Sequence, residues 1–319
     1  MKRVAVIGGE THFYEVTPFA GKTIEFVGAV VREDRKKWAE ETLSAPTFTD
    51  ETEMYDKARP EIIAIANEND LRAACVVRAL EHGCDVIVDK PLAITMSEQE
   101  EVEKAVGQHP DRKLLMLLTL RATPVYAALR KEVRSGRIGD VAYCHLRMAV
   151  RLKRAERPPW FLDSRRSGGL FLDLLIHGLD QVEWITGSRI VAVTATSGNL
   201  GHPDEVHIRD HATVFCQLDN GGAAVLEGQR MLPDTKVEDF RAFVAGTKGY
   251  AELSLGQGRL SITDPAGADQ LITDLPEEHS VVGDWLDGDS LVEQEASLRA
   301  NRMAVLATQS AEKQERIEL

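Results

Sequence analysis

A histidine with an aspartate four residues before it lies in a stretch that opens on two glycines, Gly168-Gly169. Asp173 and His177 fall one turn apart in the helix that the apolar spacing predicts over Leu170–Thr186, so their side chains share one face. Imidazole exchanges protons near neutral pH, and a neighbouring carboxylate can orient the ring or hold a substrate hydroxyl. The pair therefore predicts proton transfer, with His177 as a general base.

A lysine follows a short apolar strand in the sequence Asp89-Lys90-Pro91. At the carboxyl end of a parallel strand its side chain would point into the crevice where such sheets bind ligands, and Pro91 restricts the lysine's backbone to an extended conformation. Lys90 could donate to a reacting oxygen and stabilise its negative charge. It could instead be the base itself, and the sequence does not choose between Lys90 and His177.

The elements that must position these groups differ between the two parts of the chain. In the first part, short apolar strands alternate with amphipathic helices, which predicts βαβ units and a parallel sheet covered on both faces. The predicted strands are Arg3–Ile7, Phe26–Val31, Ile62–Ala66, Val86–Val88 and Leu114–Leu118, and the predicted helices are Arg35–Leu43, Asp70–Glu81 and Ser97–Val106. We therefore expect an α/β, doubly wound Rossmann-type domain over residues 1–121.

Residues 122–319 show clustered strands with helices at the ends of the region. The predicted strands are Asp140–Val150, Ile190–Thr196, His211–Leu218, Ala223–Arg230, Phe240–Ala245, Tyr250–Leu255 and Arg259–Ile262, and the predicted helices are Val125–Ser135, Leu170–Thr186 and Ser290–Ser310. This order is typical of an α+β domain with a largely antiparallel sheet. The final helix could pack back toward the first domain.

The turn after the first strand is an incomplete dinucleotide motif. In Gly8-Gly9-Glu10-Thr11-His12-Phe13 only the first glycine of G-x-G-x-x-G is in place. Glu10 would repel a pyrophosphate, and Phe13 needs more room than a close helix–strand contact gives. Arg32 stands at the end of the second strand, where an arginine suits the 2′-phosphate of NADP, although a solvated surface arginine explains it as well. Glu33 could still reach a ribose diol, so NAD remains open.

Composition and charge exclude several classes of protein. The 319 residues are long enough for two domains, and the net charge of −13 argues against nucleic acid as a partner. The longest apolar run, Leu114–Leu118, is too short to span a bilayer, so no membrane is expected. Four scattered cysteines without a CxxC pair, and the lack of a signal peptide, predict a cytoplasmic protein.

No metal site is predicted. Asp173, His177 and Asp180 share one helix, which seldom supplies a full coordination sphere, and the spacing of His202, His207 and His211 is irregular. The run Arg147–Arg157 is basic within an acidic chain. It could attract an anionic substrate such as a uronate or a phosphate, or it could be a solvated strand edge and loop.

Taken together, the Asp-Lys-Pro turn and the Gly-Gly-x3-Asp-x3-His helix resemble the glucose–fructose oxidoreductase/inositol dehydrogenase (Gfo/Idh/MocA) family. Shorter resemblances follow in the expected order along most of the chain. They are Ala66-Asn67-Glu68-Asn69, Leu120-Arg121-Ala122-Thr123-Pro124, Ser135-Gly136-Arg137-Ile138-Gly139-Asp140-Val141, Trp160 with Asp163, and Gly246-Thr247-Lys248-Gly249.

The resemblance implies an NAD(P)-dependent dehydrogenase or reductase that acts on a CH–OH group of a sugar, polyol or related hydroxy compound. It also implies an open-faced sheet in the second domain, through which homodimers or homotetramers assemble. The expected catalytic residues are Lys90, Asp173 and His177. The expected cofactor ligands are Gly8, Glu10, Thr11, His12, Arg32, Ala66, Asn67, Asn69, Asp89, Lys90 and Arg121. The expected substrate ligands are Lys90, Trp160, Arg165, Asp173 and His177, although Trp160 could stack on a sugar face or only fix the loop after Pro158-Pro159.

Two other functions compete with this one. A lyase or glycosidase could use bound cofactor for transient oxidation and return it unchanged. A binding or regulatory protein could keep the fold without the nucleotide, as Glu10 and Phe13 suggest. The intact set of Lys90, Asp173 and His177 argues against that last alternative.

Overall fold

The computed structural model describes residues 1–319, which form fifteen strands and nine α-helices. The strands are β1 (Lys2–Ile7), β2 (Ile24–Val30), β3 (Thr47–Phe48), β4 (Ile62–Ile65), β5 (Asp85–Val88), β6 (Leu114–Met116), β7 (Val141–Ala149), β8 (Ile190–Gly198), β9 (His211–Leu218), β10 (Ala223–Gln229), β11 (Asp239–Gly246), β12 (Gly249–Ser254), β13 (Arg259–Thr263), β14 (Asp269–Ile272) and β15 (Ile317–Glu318). The helices are α1 (Lys36–Leu43), α2 (Glu51–Ala58), α3 (Asn69–Glu81), α4 (Met96–Gln108), α5 (Pro124–Arg134), α6 (Ser164–Ser167), α7 (Ile176–Thr186), α8 (Val281–Asp287) and α9 (Gln294–Lys313).

Contacts divide the chain into two units. The first comprises residues 1–118 and 280–301, and the second comprises residues 119–279 and 302–319. The first unit thus includes a segment from late in the sequence. The sequence predicted a division between residues 121 and 122, with a final helix that could pack back toward the first domain. None of the helices has the length and apolar character that a bilayer-spanning segment needs.

The sheet of the first unit is parallel throughout, with strand order β3-β2-β1-β4-β5-β6. Its central strands are apolar and buried on both faces, as expected where helices cover both sides. From β1 the chain adds β2 and β3 on one side, and it then returns to add β4, β5 and β6 on the other side. The carboxyl ends of β1 and β4 therefore flank a crevice suited to a ligand. The predicted doubly wound domain is confirmed.

The connection from β1 to β2 departs from the usual dinucleotide fold. Instead of an α-helix it contains two short 3₁₀ helices, Thr11–Glu15 and Thr17–Phe19. Pro18 lacks the amide hydrogen that a continuous helix through this segment would need. The positive end of a long helix dipole is therefore not available at this turn.

Several short elements were not predicted from the sequence. They are β3, α2, α6, α8, β14 and β15. The start of α2 carried a signal, because Asp50 caps it by accepting a hydrogen bond from the Glu53 amide at 2.8 Å. The final helix begins four residues later and ends three residues later than the predicted Ser290–Ser310.

The sheet of the second unit is mixed and mostly antiparallel, in the order β14-β13-β12-β11-β7-β10-β9-β8-β15. Only β7 and β10 pair in parallel. Along β9 residues alternate between buried and exposed, and α7 packs against β7 and β10 on one face. The other face exposes Tyr143 and Phe215, which confirms the open-faced sheet.

The segment that carries Asp173 is not the continuous α-helix predicted over Leu170–Thr186. Its first turn, Phe171–Leu175, is a π-helix in which the Ile176 amide donates to the Phe171 carbonyl, and α7 follows it. The wider turn lets Asp173 pair with Arg230 while Leu172 and Leu175 stay fully buried. Such turns recur at functional sites.

Candidate functional site

The turn after β1 is packed tightly against the end of β4. Gly8 has a φ of +89°, and a Cβ on it would lie 2.4 Å from the Ala66 carbonyl oxygen. Its amide donates to the Val30 carbonyl at 2.9 Å, and the Glu10 amide donates to Ala66 at 2.8 Å. Only glycine satisfies both the left-handed backbone and the close approach at position 8.

Phe13 belongs to the core of the first unit. Its side chain is 3% exposed and meets the Trp38 ring edge-on, with ring centres 5.5 Å apart, and lies 5.9 Å from the Phe26 ring. The expectation that this ring lacks room is therefore wrong, because the helix that would crowd it is replaced by 3₁₀ turns. Phe13 does not argue against a ligand at this edge.

Arg32 lies among three carboxylates. Its guanidinium is 3.0 Å from Glu10, 3.1 Å from Asp34 and 3.2 Å from Glu68. Burial and the neighbouring Glu68 raise the pKa of Glu10, although Arg32 opposes this, and the hydrogen bond to Asp34 raises the pKa of Arg32 further above its usual value. The charge of Glu10 is thus offset, and that of Arg32 is already matched within the protein.

Asp89 joins the turn after β1 to the turn after β5. Its carboxylate is 1% exposed, accepts a hydrogen bond from the Thr11 hydroxyl, and lies 2.8 Å from Nδ1 of His12. Burial alone would raise the pKa of Asp89, but the positive charges of His12, Arg72 and Lys90 hold it well below its ordinary value. Thr11 and His12, two of the expected cofactor ligands, are therefore engaged with this buried carboxylate.

Arg72 was missed in the sequence, although it organises the same edge. Its buried guanidinium donates to the carbonyls of Lys90 at 2.6 Å, Pro91 at 3.1 Å and Asp89 at 3.2 Å, and also to that of Asn67. Burial lowers the pKa of Arg72, while Asp89 partly restores it. The signal for Arg72 was its place on the buried face of α3.

The Lys90 segment is held from its other side by α9. Lys90 is 8% exposed, and the Lys90–Pro91 peptide bond is cis. The Leu92 amide donates to Asn301 Oδ1 at 2.8 Å, and the Asn301 amide group donates to the Ala93 carbonyl at 3.0 Å. Two regions distant in sequence therefore fix the backbone on either side of Lys90.

Three more of the expected cofactor ligands lie between the end of β4 and the first residue of α3. Ala66 and Asn67 follow β4, and Asn69 begins α3, so all three lie beside the crevice edge in the first unit. The Asn67 side-chain amide donates to Cys75 Sγ at 3.3 Å, whereas its buried Oδ1 has no hydrogen-bond partner within the protein. That oxygen is a polar group that a ligand could satisfy.

Arg121 takes part in a buried ion pair within the second unit. Its Nε and terminal nitrogen lie 3.0 and 2.6 Å from the two oxygens of Asp180, and its guanidinium lies 5.5 Å from the Trp184 ring centre. Burial raises the pKa of Asp180, and Arg121 opposes that effect. This pair ties the start of the second unit to α7; a cofactor role for Arg121 stays a prediction.

In the second unit, His177 lies in the first turn of α7 and is 7% exposed. Asp173, on the π-helical turn before it, forms an ion pair with Arg230, which follows β10 and is itself 5% exposed. Burial and the nearby Arg157 lower the pKa of Arg230 to about 9, which leaves its guanidinium charged at neutral pH. Arg230 had no motif to reveal it, because its partner lies 57 residues earlier.

A small pocket with a cavity volume of about 20 Å³ adjoins this ion pair. Its polar and aromatic lining comprises Phe161, Ser164, Ser167, Asp173, Arg209 and Arg230. Phe161, rather than the expected Trp160, contributes the aromatic wall, since Trp160 is buried with its ring 6.0 Å from that of Phe161. Arg165 is exposed and pairs with Asp163 at 2.6 Å. Substrate roles for Trp160 and Arg165 stay predictions.

The histidines outside this site include a pair around one buried carboxylate. Asp210 is fully buried and lies 2.7 Å from His211 and 3.2 Å from His202. No group of three or more histidine, cysteine, aspartate or glutamate side chains is arranged to hold a metal ion. These contacts tie the loop before β9 to its start.

Comparisons with known proteins identify the class. A family model described as an oxidoreductase family with an NAD-binding Rossmann fold matches residues 2–116, and a model of the GFO/IDH/MocA C-terminal domain matches residues 126–252. The chain belongs to the Gfo/Idh/MocA family of oxidoreductases.

Individual relatives agree with this assignment. The chain is 25% identical over 254 residues to scyllo-inositol 2-dehydrogenase (NAD(+)) of Bacillus subtilis, covering 77% of this chain and 72% of that protein. It is 30% identical over 219 residues to the myo-inositol dehydrogenase Hyg17 of Streptomyces leeuwenhoekii, covering 68% and 65%. A solved structure from Thermotoga maritima, of a protein named only as an oxidoreductase, superposes with a TM-score of 0.92 at 22% identity over 99% of this chain and all of that one.

The residues of the first unit fit the dinucleotide that this family binds. Gly8 and Gly9 both have positive φ, and a Cβ on Gly9 would lie 2.3 Å from the Trp38 ring, so the turn keeps its compact shape. The crevice lies between β1 and β4, where the direction of strand addition in the parallel sheet changes. Asn67 Oδ1 lies at this edge and has no hydrogen-bond partner within the protein. Glu10 is turned toward Arg32, which compensates its charge.

Proposed function

We propose that the protein is an NAD(H)-dependent dehydrogenase or reductase of a CH–OH group in a sugar, polyol or related hydroxy compound. The observation that carries the proposal is the Asp89-Lys90 turn, which buried contacts from Arg72 and Asn301 fix at the carboxyl edge of the sheet. Relatives that are named inositol dehydrogenases support a polyol substrate.

In this function the bound nicotinamide supplies the hydride acceptor or donor, and the protein handles the proton and the alignment. Oxidation of a secondary alcohol removes the hydroxyl proton while the carbon-bound hydrogen leaves with its electron pair as hydride. Lys90 donates to the reacting oxygen, and either Lys90 or His177 receives the proton. Asp173, fixed by Arg230, holds a substrate hydroxyl.

We infer a preference for NAD(H) over NADP(H). Arg32, the residue that favoured NADP in the sequence, lies within 3.2 Å of three carboxylates. A 2′-phosphate placed there would meet Glu10, Asp34 and Glu68, and like charges oppose its binding. The scyllo-inositol 2-dehydrogenase of Bacillus subtilis among the relatives is named as an NAD⁺ enzyme, which agrees with this inference.

The test is an absorbance assay at 340 nm with NAD⁺ and a panel of inositols, aldoses and sugar acids. We expect reduction of NAD⁺ with at least one member, and loss of that reduction in Lys90→Ala. Product formation with no net change in nicotinamide absorbance would instead favour the lyase or glycosidase function. Binding of panel members without any chemistry would favour a binding protein.

We propose that copies of the chain associate through the open face of the second sheet. Tyr143 and Phe215 are 39% and 49% exposed there, and the Tyr143 ring lies 6.5 Å from that of Phe243. Exposed aromatic clusters of this kind mark association surfaces. A cytoplasmic location is also proposed, since all four cysteines are buried free thiols.

A further inference from the structure

The pocket beside Asp173 contains more positive than negative charge. Arg230 and Arg209 both line it, and Arg157 lies over the Phe161 ring that forms its wall, 4.1 Å from guanidinium carbon to ring centre. Arg230 approaches the same ring at 5.0 Å. Asp173 is the one carboxylate of the lining, and it is already paired with Arg230.

Arg157 has no anionic partner within hydrogen-bond distance. Its guanidinium forms no ion pair or hydrogen bond, and its Nε is buried without a partner. Burial lowers the pKa of Arg157, and the nearby Glu238 and Glu156 only partly oppose this. A half-buried guanidinium without a partner lowers the stability of the folded protein unless a ligand supplies negative charge and hydrogen-bond acceptors.

Other members of the basic run around Arg157 are paired at the surface. Arg147 lies 3.0 Å from Glu227 and 3.3 Å from Asp239, and Arg154 pairs with Glu205. The solvated-edge interpretation of this run therefore holds for Arg147 and Arg154. It does not explain Arg157, which turns inward onto Phe161.

We propose that the substrate of the dehydrogenase carries an anionic group, a carboxylate or a phosphate, which Arg157 and Arg230 bind at the Phe161 wall. This inference rests on the proposed function and narrows its substrate class to acidic sugars and hydroxy acids. Arginine suits such groups because its planar fork donates two parallel hydrogen bonds to their oxygens. The net charge of the chain is −13, so most of its surface repels an anion. The positive charge of this pocket attracts one locally.

The binding arm of the test uses thermal stability and calorimetry with matched ligands. D-Glucuronate, D-gluconate and D-glucose 6-phosphate are compared with neutral D-glucose, in the presence of NADH. We expect the wild-type protein to bind at least one acidic ligand more tightly than glucose, and Arg157→Gln to reduce that advantage about 10- to 100-fold. Arg154→Gln, which removes a paired surface arginine of the same run, should leave it unchanged.

Glucuronate and gluconate separate a carboxylate site from a phosphate site, because glucose 6-phosphate carries only the second group. Equal binding of acidic and neutral ligands, no binding of any acidic ligand, or an advantage that persists in Arg157→Gln would overturn the inference. Arg157 is the residue to change, because removing Arg230 would leave the Asp173 carboxylate without its ion-pair partner and would destabilise the second unit.

The turnover arm distinguishes this inference from the proposed function. Reduction of NAD⁺ by neutral polyols alone would leave the dehydrogenase intact and overturn the anionic substrate. Selective binding of acidic ligands without nicotinamide chemistry would keep the anion site and overturn the dehydrogenase. For an acidic substrate, Arg157→Gln should raise KM about 10-fold or more and leave kcat nearly unchanged, because the group binds alike in ground and transition states.

Discussion

Each unit of the molecule places a buried arginine near an aspartate, and the two arginines differ in what their guanidinium groups contact. In the first unit Arg72 lies 4.0 Å from Asp89 and donates to four backbone carbonyls around the Lys90 turn. In the second unit Arg230 pairs with Asp173 and also faces a pocket, with Arg157 beside it.

The difference teaches how to separate a structural arginine from a binding one. The N–H groups of Arg72 donate to main-chain carbonyl oxygens. These hydrogen bonds fix a backbone conformation, and the guanidinium is not available to bind a ligand. Arg230 lines a cavity in which positive charge exceeds negative charge. Burial alone would have classed the two residues together, since they are 1% and 5% exposed.

The largest expected effect concerns the group that the first unit positions. Lys90→Ala should lower kcat about 10²- to 10⁴-fold, because it removes a proton-transferring or charge-stabilising group from the reacting oxygen. The assay is steady-state reduction of NAD⁺ with the best substrate, alongside the unfolding temperature. Lys113→Ala, at an exposed lysine of the same unit, is the control. Unchanged turnover in Lys90→Ala would remove the residue from the mechanism.

Changing the structural arginine should affect stability. Arg72→Met leaves four buried carbonyls without this donor and removes the positive charge 4.0 Å from the buried Asp89 carboxylate, and should cost about 3–5 kcal/mol of unfolding free energy in urea denaturation. Arg72→Lys should fall between this variant and the wild type. Arg78→Met, on the same helix, removes a partly exposed pair with Glu51 and should cost about 1 kcal/mol or less. Equal losses at positions 72 and 78 would contradict the assignment of Arg72.

The acid stability of the first unit should depend on Asp89. Its pKa is lowered in the folded state, so its contribution is complete above the unfolded pKa of about 3.9 and is lost as the pH falls through lower values. Below about pH 4, the unfolding free energy of the wild type should fall more steeply than that of Asp89→Asn, by about 1.4 kcal/mol per pH unit. Parallel curves from urea unfolding would show that Asp89 is not held ionised.

The smallest expected effect concerns the choice of nicotinamide. Glu68→Gln removes one of the carboxylates around Arg32 and should improve the affinity for NADPH relative to NADH about 10-fold, or about 1.4 kcal/mol, by calorimetry. Glu41→Gln, which loses only an exposed contact with Lys37, is the matched control. An unchanged ratio in Glu68→Gln would mean that Arg32 does not face the ribose.

The sequence predicted the parts of the site that short motifs carry. Lys90 could be found because the apolar strand and the following proline are adjacent to it, and Asp173 and His177 because helical spacing joins them. Apolar runs likewise located most strands of both sheets to within a few residues.

The rest depends on contacts between distant segments. Arg230 meets Asp173 only through the packing of β10 against the π-helical turn, and Asn301 reaches Leu92 from the far end of the chain. The 3₁₀ turns after β1 depend on the packing of Phe13 against Trp38 and Phe26, two residues that follow it by 25 and 13 positions in the sequence. No local pattern encodes such partners.

The most direct test of the central claim is a titration with NAD⁺, NADH, NADP⁺ and NADPH, followed by thermal unfolding and calorimetry. A dinucleotide that binds only the folded protein should add about 2.7 kcal/mol of stability at 100 times its Kd. We predict clear stabilisation by NAD⁺ or NADH and a weaker effect of the phosphorylated pair. No stabilisation by any of the four would contradict a nicotinamide-dependent enzyme and favour a binding protein built on the same fold.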